Sequence, residues 1–174
     1  YDQGYFWTVE MKHNLESLKA GNGYPLWSWY RGTGMDTKLP IDPFVVIAAL
    51  FPAGYIELGY TVAIILRIYF AGLAFIAFGG EAGLDNFQRL AGALCYVSTS
   101  WVINVSLVQG QFIGMLILFP LLVMGVDRIY KGKSPWVFIL IVALAMSLNY
   151  YLAYMAAIVI VRYILLRYFT YRKF

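Results

Sequence analysis

Long apolar runs fill the chain after residue 42 and restrict the folds that it can adopt. A helix needs about 20 predominantly apolar residues to cross the hydrocarbon core of a bilayer, and residues 57–78 form a run of that length. The runs are continuous and lack the period-two alternation of a membrane β-barrel. Hydrophobic residues make up 61% of the chain, well above the fraction in soluble domains. The sequence therefore predicts an all-α fold, a polytopic transmembrane helix bundle.

The apolar region divides into about five expected spans, each judged by length against the bilayer thickness. The final region is too long for one span, and we expect it to form two short helices. The predicted spans are residues 57–78, 87–108 and 112–126, followed by the two helices within residues 134–169.

Breaks between the spans carry recognisable turn and cap residues. The glycine-rich residues 79–83 should end the first span, and Asp85 is a suitable N-cap for the second. Gly110 and Gly114 lie four residues apart, a spacing that allows two helices to pack closely. We place the break between the last two helices at residues 147–151.

A polar, aromatic-rich segment, residues 1–53, precedes the bundle, residues 54–174, and we predict that it is an extracytoplasmic loop. Within residues 5–19, four apolar side chains recur at spacings of four, four and three. This spacing is typical of an amphipathic juxtamembrane helix that lies on the bilayer surface. The aromatic residues 24–30 are expected to be irregular.

A second, short helix is expected at the end of this loop. Asp42 is a suitable N-cap, Pro43 suits the first helical position, and Pro52 closes the run. Such a helix spans only about half of the hydrocarbon core at 1.5 Å per residue. It should therefore be re-entrant or interfacial.

Basic residues are concentrated at the ends of the spans, chiefly in residues 127–133 and 167–173, and the net charge is +4. This is the distribution of the positive-inside rule, which places these ends on the cytoplasmic side. The loop of residues 1–53, the turn at 108–111 and the break at Asn149 then fall on the opposite side. No patch favours nucleic acid, so we predict no nucleic-acid partner.

Polar groups of the loop suit the transfer of a sugar from a lipid phosphate to a hydroxyl. This reaction needs a carboxylate to accept the hydroxyl proton and a cation or metal to stabilise the departing phosphate. Asp2 is the candidate base, although a carboxylate there can also cap the first helix. The candidate phosphate partners are Arg31, Lys38 and Arg67, and the candidate sugar platform is Trp27, Trp29 and Tyr30.

Arg67 lies near the middle of the first predicted span. A cation at that depth costs about 3 kcal/mol on insertion scales and needs a partner or a wet cavity. Two interpretations remain open: Arg67 binds a lipid phosphate, or it pairs structurally with a carboxylate or carbonyl groups on a helix that lies outside this sequence.

Metal and thiol chemistry receive little support from the sequence. Glu10 and His13 have a Glu-x-x-His spacing, but a closed metal site needs more ligands, so a surface histidine is the favoured interpretation. A divalent metal cofactor is left open on this pair alone. The single cysteine, Cys95, excludes a disulfide within the chain.

Short motifs follow one another in a fixed order along the chain. They are Tyr1-Asp2-Gln3, Gly23-Tyr24-Pro25-Leu26-Trp27-Ser28-Trp29, Gly32-Thr33-Gly34-Met35, Leu50-Phe51-Pro52, Phe119-Pro120 ahead of Asp127-Arg128, and Asn149-Tyr150-Tyr151 ahead of Tyr154-Met155. In this order the chain resembles the YfhO-type bacterial membrane proteins over nearly its whole length.

The resemblance implies a GT-C-like glycosyltransferase of the bacterial cytoplasmic membrane. The implied donor is a polyprenyl-phosphate sugar, and the implied acceptor is a cell-envelope polymer such as lipoteichoic acid. In that fold an acidic residue just after the first transmembrane helix is catalytic, and Asp2 occupies the matching place. Asn149 and Tyr151, in one of the matching motifs, are further candidate substrate contacts. We also expect that helix to lie upstream of Tyr1, in a larger protein.

Two other functions remain as alternatives. In a transporter or flippase of lipid-linked sugars, Arg67 and the polar stripe of residues 98–111 would line the path. A non-catalytic membrane subunit would use its charged residues for assembly only. A transporter moves the labelled lipid-linked sugar without consuming it, which separates it from an enzyme.

Overall fold

The computed structural model describes residues 3–23, 25, 27–28, 34–36, 42–108 and 110–171. Within these ranges nearly all of the chain is helical, as the sequence predicts. The helices are α1 (Gln3–Lys19), α2 (Pro43–Ala49), α3 (Ile56–Glu81), α4 (Asn86–Val97), α5 (Ser100–Val108), α6 (Gly114–Tyr130), α7 (Trp136–Leu148) and α8 (Tyr150–Tyr171). Short 3-10 turns, Ala53–Tyr55 and Gly110–Ile113, precede α3 and α6, and two short strands, β1 (Trp27–Ser28) and β2 (Met35–Asp36), lie between α1 and α2.

The chain folds as two compact units. The first comprises Tyr1–Leu66 with Leu107–Gly110, and the second comprises Arg67–Ser106 with Gln111–Phe174. The continuous helix α3 contributes to both. The boundary predicted after residue 53 separates a loop outside the membrane from the membrane bundle. It is a different division from the two compact units, and it stays a prediction.

In the first unit, α1 packs against α2. Met11 and Asn14 are only 6% and 3% exposed, and their spacing of three residues places them on one face of α1. Leu18, predicted for the same apolar face, is 50% exposed. The Lys12 ammonium donates to the Phe51 carbonyl at 2.6 Å and ties α1 to the turn after α2. The predicted helix is therefore confirmed, but its buried face includes a polar amide.

The predicted N-cap of the short helix α2 is confirmed. The Asp42 carboxylate accepts a hydrogen bond from the Phe44 backbone N–H at 3.0 Å, and Pro43 occupies the first helical position. The helix ends at Ala49, so it is about 10 Å long at 1.5 Å per residue. A hydrocarbon core is about 30 Å thick, so α2 alone is too short to cross.

A two-residue antiparallel ladder joins β1 and β2, with Trp27 opposite Asp36 and Ser28 opposite Met35. The prediction of irregular structure is therefore wrong at residues 27–28. Gly34 has a φ of +101°, and a Cβ there would collide with the Trp27 indole. A glycine is needed at this position because only it tolerates both the left-handed backbone and the ring.

In the second unit, α3 and α4 pack as an antiparallel pair. Phe75 on α3 lies against Gly92 on α4, and its ring centroid is 5.2 Å from that of Tyr96. Closer to the connection between the helices, Arg89 lies over Gly79. Contacts between low numbers on one helix and high numbers on the other show that the two helices run in opposite directions.

The predicted end of the first span is wrong in detail. α3 passes through Gly79 and Gly80 and ends at Glu81, and Gly83 takes a φ of +83° in the following turn. Glycine weakens a helix in water because it exposes the backbone. Here the Arg89 side chain covers both helical glycines, so their backbone stays shielded and the helix continues.

The second predicted span is in fact two helices, α4 and α5. The Asp85 cap is confirmed, since Gln88 donates its backbone N–H to the Asp85 carboxylate at 2.8 Å and completes a capping box. α4 stops at Ser98, whose hydroxyl binds the carbonyl four residues earlier. The Thr99 hydroxyl then accepts from the Val102 N–H at 3.4 Å and starts α5. These hydroxyl groups offer the backbone an alternative to a continuous helix.

A proline inside α6 leaves a carbonyl that finds its hydrogen-bond donor on α4. Pro120 lacks the N–H that would bind the carbonyl four residues earlier, which is that of Leu116. The Tyr96 hydroxyl donates to this carbonyl at 3.1 Å. An unsatisfied carbonyl is costly in an apolar environment, so this hydrogen bond replaces the missing one and ties α4 to α6.

The prediction of close packing is confirmed at Gly110 and is wrong at Gly114. In the first unit the Gly110 N–H donates to the Tyr60 hydroxyl at 3.3 Å, and a Cβ would lie 2.8 Å from that oxygen and 3.0 Å from Ile64 Cγ1. A Cβ on Gly114 would meet no atom of the described residues within 4 Å. The two glycines therefore do not form a single packing motif.

Helices α6, α7 and α8 share an apolar core in the second unit. Gly125 on α6 allows the close approach of Phe138 on α7, whose Cα would lie 3.1 Å from an added Cβ. The predicted break is confirmed, since α7 ends at Leu148 and α8 begins at Tyr150. α8 has 22 residues and is not the short helix expected. The core residues are Leu118, Leu122, Val126, Ile141, Ala145, Ala153, Ala156 and Ile160.

The α3–α4 contact yields a matched pair of glycine substitutions. An added Cβ on Gly92 would lie 2.6 Å from Phe75 Cε1, whereas one on Gly72 would meet only Val97 Cγ1 at 3.8 Å. We expect Gly92→Ala to lower the free energy of unfolding by about 1–3 kcal/mol, because Phe75 must move. Gly72→Ala should be neutral or stabilise by up to about 1 kcal/mol through better helix propensity. The thermal unfolding midpoint of the detergent-solubilised full-length protein measures both; equal shifts would contradict the close contact.

Candidate functional site

Five of the predicted site residues lie outside the residues that the structure describes. They are Asp2, Trp29, Tyr30, Arg31 and Lys38. Their assignment as base, sugar platform and phosphate partners stays a prediction.

Trp27 belongs to the first unit, where it forms part of β1. Its side chain is 49% exposed and its indole ring lies against Gly34. The ring thus has Gly34 as a neighbour while about half of the residue's surface is open. An exposed, fixed aromatic ring is the form that a sugar platform requires.

Arg67 belongs to the second unit, within α3, and is only 1% exposed. Ala63 and Ala71, one turn before and one turn after it, are also buried. The small alanine side chains leave room for the guanidinium beside the helix. A charge enclosed in this way must be satisfied inside the protein. The burial of Arg67 is consistent with both interpretations, a structural pairing and a closed phosphate site.

The two candidates at the α7–α8 break have different environments. The Asn149 side-chain oxygen accepts a hydrogen bond from the Leu152 N–H at 3.1 Å, so this residue is the N-cap of α8. Tyr151 is 56% exposed. The cap gives Asn149 a structural role, while the Tyr151 side chain is open to its surroundings.

A charged cluster that the sequence did not reveal surrounds Glu81, the last residue of α3. Its carboxylate lies 3.0 Å from the Lys131 ammonium, 2.6 Å from the Lys133 ammonium and 3.4 Å from Arg128 Nη1. Lys131 also donates to the Glu81 backbone carbonyl. This carbonyl lacks a partner within its own helix, so the lysine both neutralises the side chain and caps the helix.

A second cluster, centred on Asp127 of α6, adjoins the first. Asp127 is 2% exposed, and its Oδ1 accepts hydrogen bonds from the Tyr163 hydroxyl at 2.6 Å and from Arg167 Nε at 2.9 Å. Arg167 Nη2 lies 2.8 Å from the same oxygen. The Tyr130 hydroxyl donates to the Ile164 carbonyl at 2.9 Å. These contacts fix the C-terminal half of α8 against the end of α6.

The sequence predicted residues 127–133 and 167–173 as basic ends, but the carboxylates that these cations meet, Glu81 and Asp127, were not predicted. A usable signal was present. Glu81 ends one apolar run and Asp127 ends another, and a carboxylate beside an apolar helix needs a cation. What the sequence lacked was the pairing of the helices, which decides which cation each carboxylate meets.

Within the described ranges, no group of three or more His, Cys, Asp or Glu side chains is arranged to hold a metal ion. Glu10 and His13 both lie on α1, where His13 is exposed. The structure therefore brings no additional ligand to this pair from the described part of the chain.

Comparison with protein families identifies the chain. The model of the bacterial membrane protein YfhO matches residues 9–174, almost the whole sequence. The chain belongs to the YfhO family. Neither curated proteins nor solved structures gave a match to it.

Membership of the YfhO family makes this a bacterial membrane protein, and the helices agree with that. Among the described helices, α3 (Ile56–Glu81) and α8 (Tyr150–Thr170) are long and apolar enough to cross a bilayer. α7 (Trp136–Leu148) is apolar but shorter. The resemblance inferred from the motifs and the membrane location inferred from the apolar runs are both confirmed.

Proposed function

We propose that this YfhO-family protein is a multi-pass, GT-C-like inverting glycosyltransferase. It transfers a sugar from a polyprenyl-phosphate donor to a cell-envelope polymer of the lipoteichoic acid type, on the outer face of the bacterial cytoplasmic membrane. Family membership, the apolar helices and the basic residues that meet the end of α3 support this proposal.

The single observation that carries the proposal is that two lysines outside α3 meet the C-terminal end of α3. Its last residue, Glu81, is bound by Lys131 and Lys133, and basic residues at span ends favour the cytoplasmic side. α3 has 26 residues and is about 39 Å long, more than the hydrocarbon core of about 30 Å. Its first residue, Ile56, therefore belongs on the opposite side, together with the polar loop that immediately precedes it.

In this arrangement the loop of residues 1–53 supplies the chemistry. Asp2 removes the proton from the acceptor hydroxyl as that oxygen attacks the anomeric carbon, and the lipid phosphate departs with the electron pair of the broken glycosidic bond. A cation stabilises the developing phosphate charge. Arg31, Lys38 and Arg67 are the candidates for this role. Trp27, Trp29 and Tyr30 provide aromatic faces for the sugar, and Asn149 and Tyr151 complete the proposed set.

The polar stripe offers less support to transport than its composition suggests. In its described part, the Ser98 hydroxyl donates to the Leu94 carbonyl, and the Asn104 amide donates to the Ser100 carbonyl at 2.8 Å. These hydrogen bonds remain within a single helix or its cap, as is usual for serine and asparagine in apolar helices. These hydrogen bonds satisfy the polar groups of Ser98 and Asn104, so a conducting path is not needed to explain why these two residues are polar.

The proposal is tested with the full-length protein in proteoliposomes that contain a labelled polyprenyl-phosphate sugar. We expect the label to be consumed and to appear on added lipoteichoic acid, with release of the polyprenyl phosphate. Vesicles without protein are the control for spontaneous hydrolysis. Movement of the intact labelled lipid between leaflets, without consumption, would overturn the proposal in favour of a flippase. An absence of both consumption and movement would favour a non-catalytic subunit.

A further inference from the structure

The two charged clusters together form a surface that we call the basic rim, defined by Arg128, Lys131, Lys133 and Arg167 around the carboxylates of Glu81 and Asp127. The four named cations exceed the two named carboxylates by two positive charges. Asp85 and Arg89, close by at the start of α4, cancel each other's formal charge. The basic rim therefore has charge left over after its own ion pairs are made.

The excess charge lies on the outside of the basic rim. The side chains of Lys131 and Lys133 are 38% and 46% exposed, whereas the Glu81 side chain is 10% exposed. In the second cluster the cation is again more exposed than the carboxylate, since the Arg167 side chain is 33% exposed and that of Asp127 is 2% exposed. In each cluster the carboxylate is less exposed than its cations, so it holds the cations in place while part of each cation faces outward. An approaching ligand thus meets a fixed positive surface.

We propose that the basic rim binds the phosphate-bearing headgroup of an anionic membrane phospholipid. α3, one of the helices long enough to cross a bilayer, ends at Glu81 in the basic rim, and α8, the other, passes through it at Arg167 close to its own end. Headgroups lie at this depth, immediately beyond the hydrocarbon core. Clustered lysine and arginine side chains at the end of a membrane helix attract anionic lipids.

The segment after the turn adds a second feature of a lipid interface. Trp136 begins α7, three residues after Lys133, and its side chain is 67% exposed. Indole rings favour the headgroup zone because one edge is apolar and the N–H is a donor. Two lysines, Lys131 and Lys133, followed by an exposed tryptophan fit a lipid headgroup and its glycerol region better than a free phosphate ion. A free phosphate ion has no apolar part that could contact the indole ring.

The proposal gives opposite expectations for removing the cations and for removing the Glu81 carboxylate. In the double variant Lys131→Gln/Lys133→Gln, two cations that contact the headgroup are lost, and we expect binding about 25-fold weaker, since each basic side chain near such a surface contributes about fivefold. In Glu81→Gln the cations no longer share their charge with a carboxylate. We expect this variant to bind the lipid more tightly than wild type.

The experiment measures lipid binding by native mass spectrometry of the full-length protein released from detergent, titrated with phosphatidylglycerol or with phosphatidylcholine. Wild type should retain phosphatidylglycerol selectively, and retention should fall as salt rises because the contacts are exposed ion pairs. Lys19→Gln on α1 is the matched control, because it removes an exposed lysine outside the basic rim. It should bind as wild type does. No sugar transfer is measured, so the result is independent of the proposed function.

Several outcomes would overturn the proposal. Equal retention of phosphatidylglycerol by the double variant and by Lys19→Gln would place the lipid elsewhere. Displacement of the lipid by an equal concentration of inorganic phosphate would show that the ligand is a free anion. If the double variant unfolds in detergent, Glu81→Gln decides alone: weaker or unchanged binding would mean that the cations serve only to neutralise the carboxylate.

Discussion

Replacing Arg167 by glutamine is expected to lower the free energy of unfolding by about 2–3 kcal/mol. Removing one partner of a fully buried ion pair costs about 3–5 kcal/mol; we expect a loss at or below the lower end of that range because Arg167 is 33% exposed. The substitution leaves the Asp127 carboxylate, 2% exposed, with the Tyr163 hydroxyl but without its cation. The midpoint of thermal unfolding in detergent, followed by tryptophan fluorescence, measures the effect.

The two partners of this pair should not be equally sensitive. Asp127→Asn should cost less than Arg167→Gln, because the remaining arginine can turn towards water or headgroups, whereas a remaining carboxylate stays buried. The double variant should cost less than the two single substitutions added together, since the pair acts as a unit. Arg162→Gln, at an exposed position on the same helix, is the control and should have little effect. Additive costs, or an equal loss in Arg162→Gln, would show that the pair does not hold α8 to α6.

Replacing Asp2 by asparagine in the full-length protein is expected to lower sugar transfer by about two to four orders of magnitude, the usual contribution of a positioned general base. Asparagine has nearly the same shape as aspartate but cannot accept the proton from the acceptor hydroxyl. Initial rates of label transfer from the polyprenyl-phosphate sugar to lipoteichoic acid measure the loss. Binding of the donor should change much less than the rate, because the base acts on the acceptor.

Glu16→Gln provides a matched control for Asp2. Glu16 is an exposed carboxylate on α1, 60% exposed, with a 3.4 Å ion pair to Lys12, and exposed pairs of this kind contribute little. The control variant should transfer sugar at the rate of the wild type, and both variants should be expressed and should melt as wild type does. Undiminished transfer by Asp2→Asn would remove this residue from the mechanism, without affecting the membrane fold or the proposed lipid site.

Features of the fold that depend on neighbouring residues could be predicted from the sequence. The Asp42 and Asp85 caps are formed by a carboxylate and a backbone N–H two or three residues later, so the local sequence is sufficient for them. The break at Asn149 is of the same kind. The split at Ser98–Thr99 also has a local cause in its hydroxyl groups, but their competition with a continuous apolar helix could not be weighed from composition alone.

The candidate site was only partly predictable. Arg67 was singled out because a cation in an apolar run is costly, and its burial agrees with that concern. Glu81 and Asp127 were passed over because their partners lie far away in the chain, at Lys133 and Arg167. The packing of the glycines was equally hard to predict, since Gly110 is packed tightly against Tyr60 while Gly114 is open among the described residues. Residue type did not distinguish these two glycines; their neighbours did.

By itself, the sequence determined that this chain is a helical bacterial membrane protein of the YfhO family, because apolar run lengths, caps and ordered motifs are properties of the chain alone. Only the tertiary structure decided which charges meet, which glycines are indispensable and which carbonyl Tyr96 satisfies. The physical reason is that an ion pair or a close contact depends on distances of a few ångströms between helices. Such distances are set by how α3, α4, α6 and α8 pack and not by their separation in sequence.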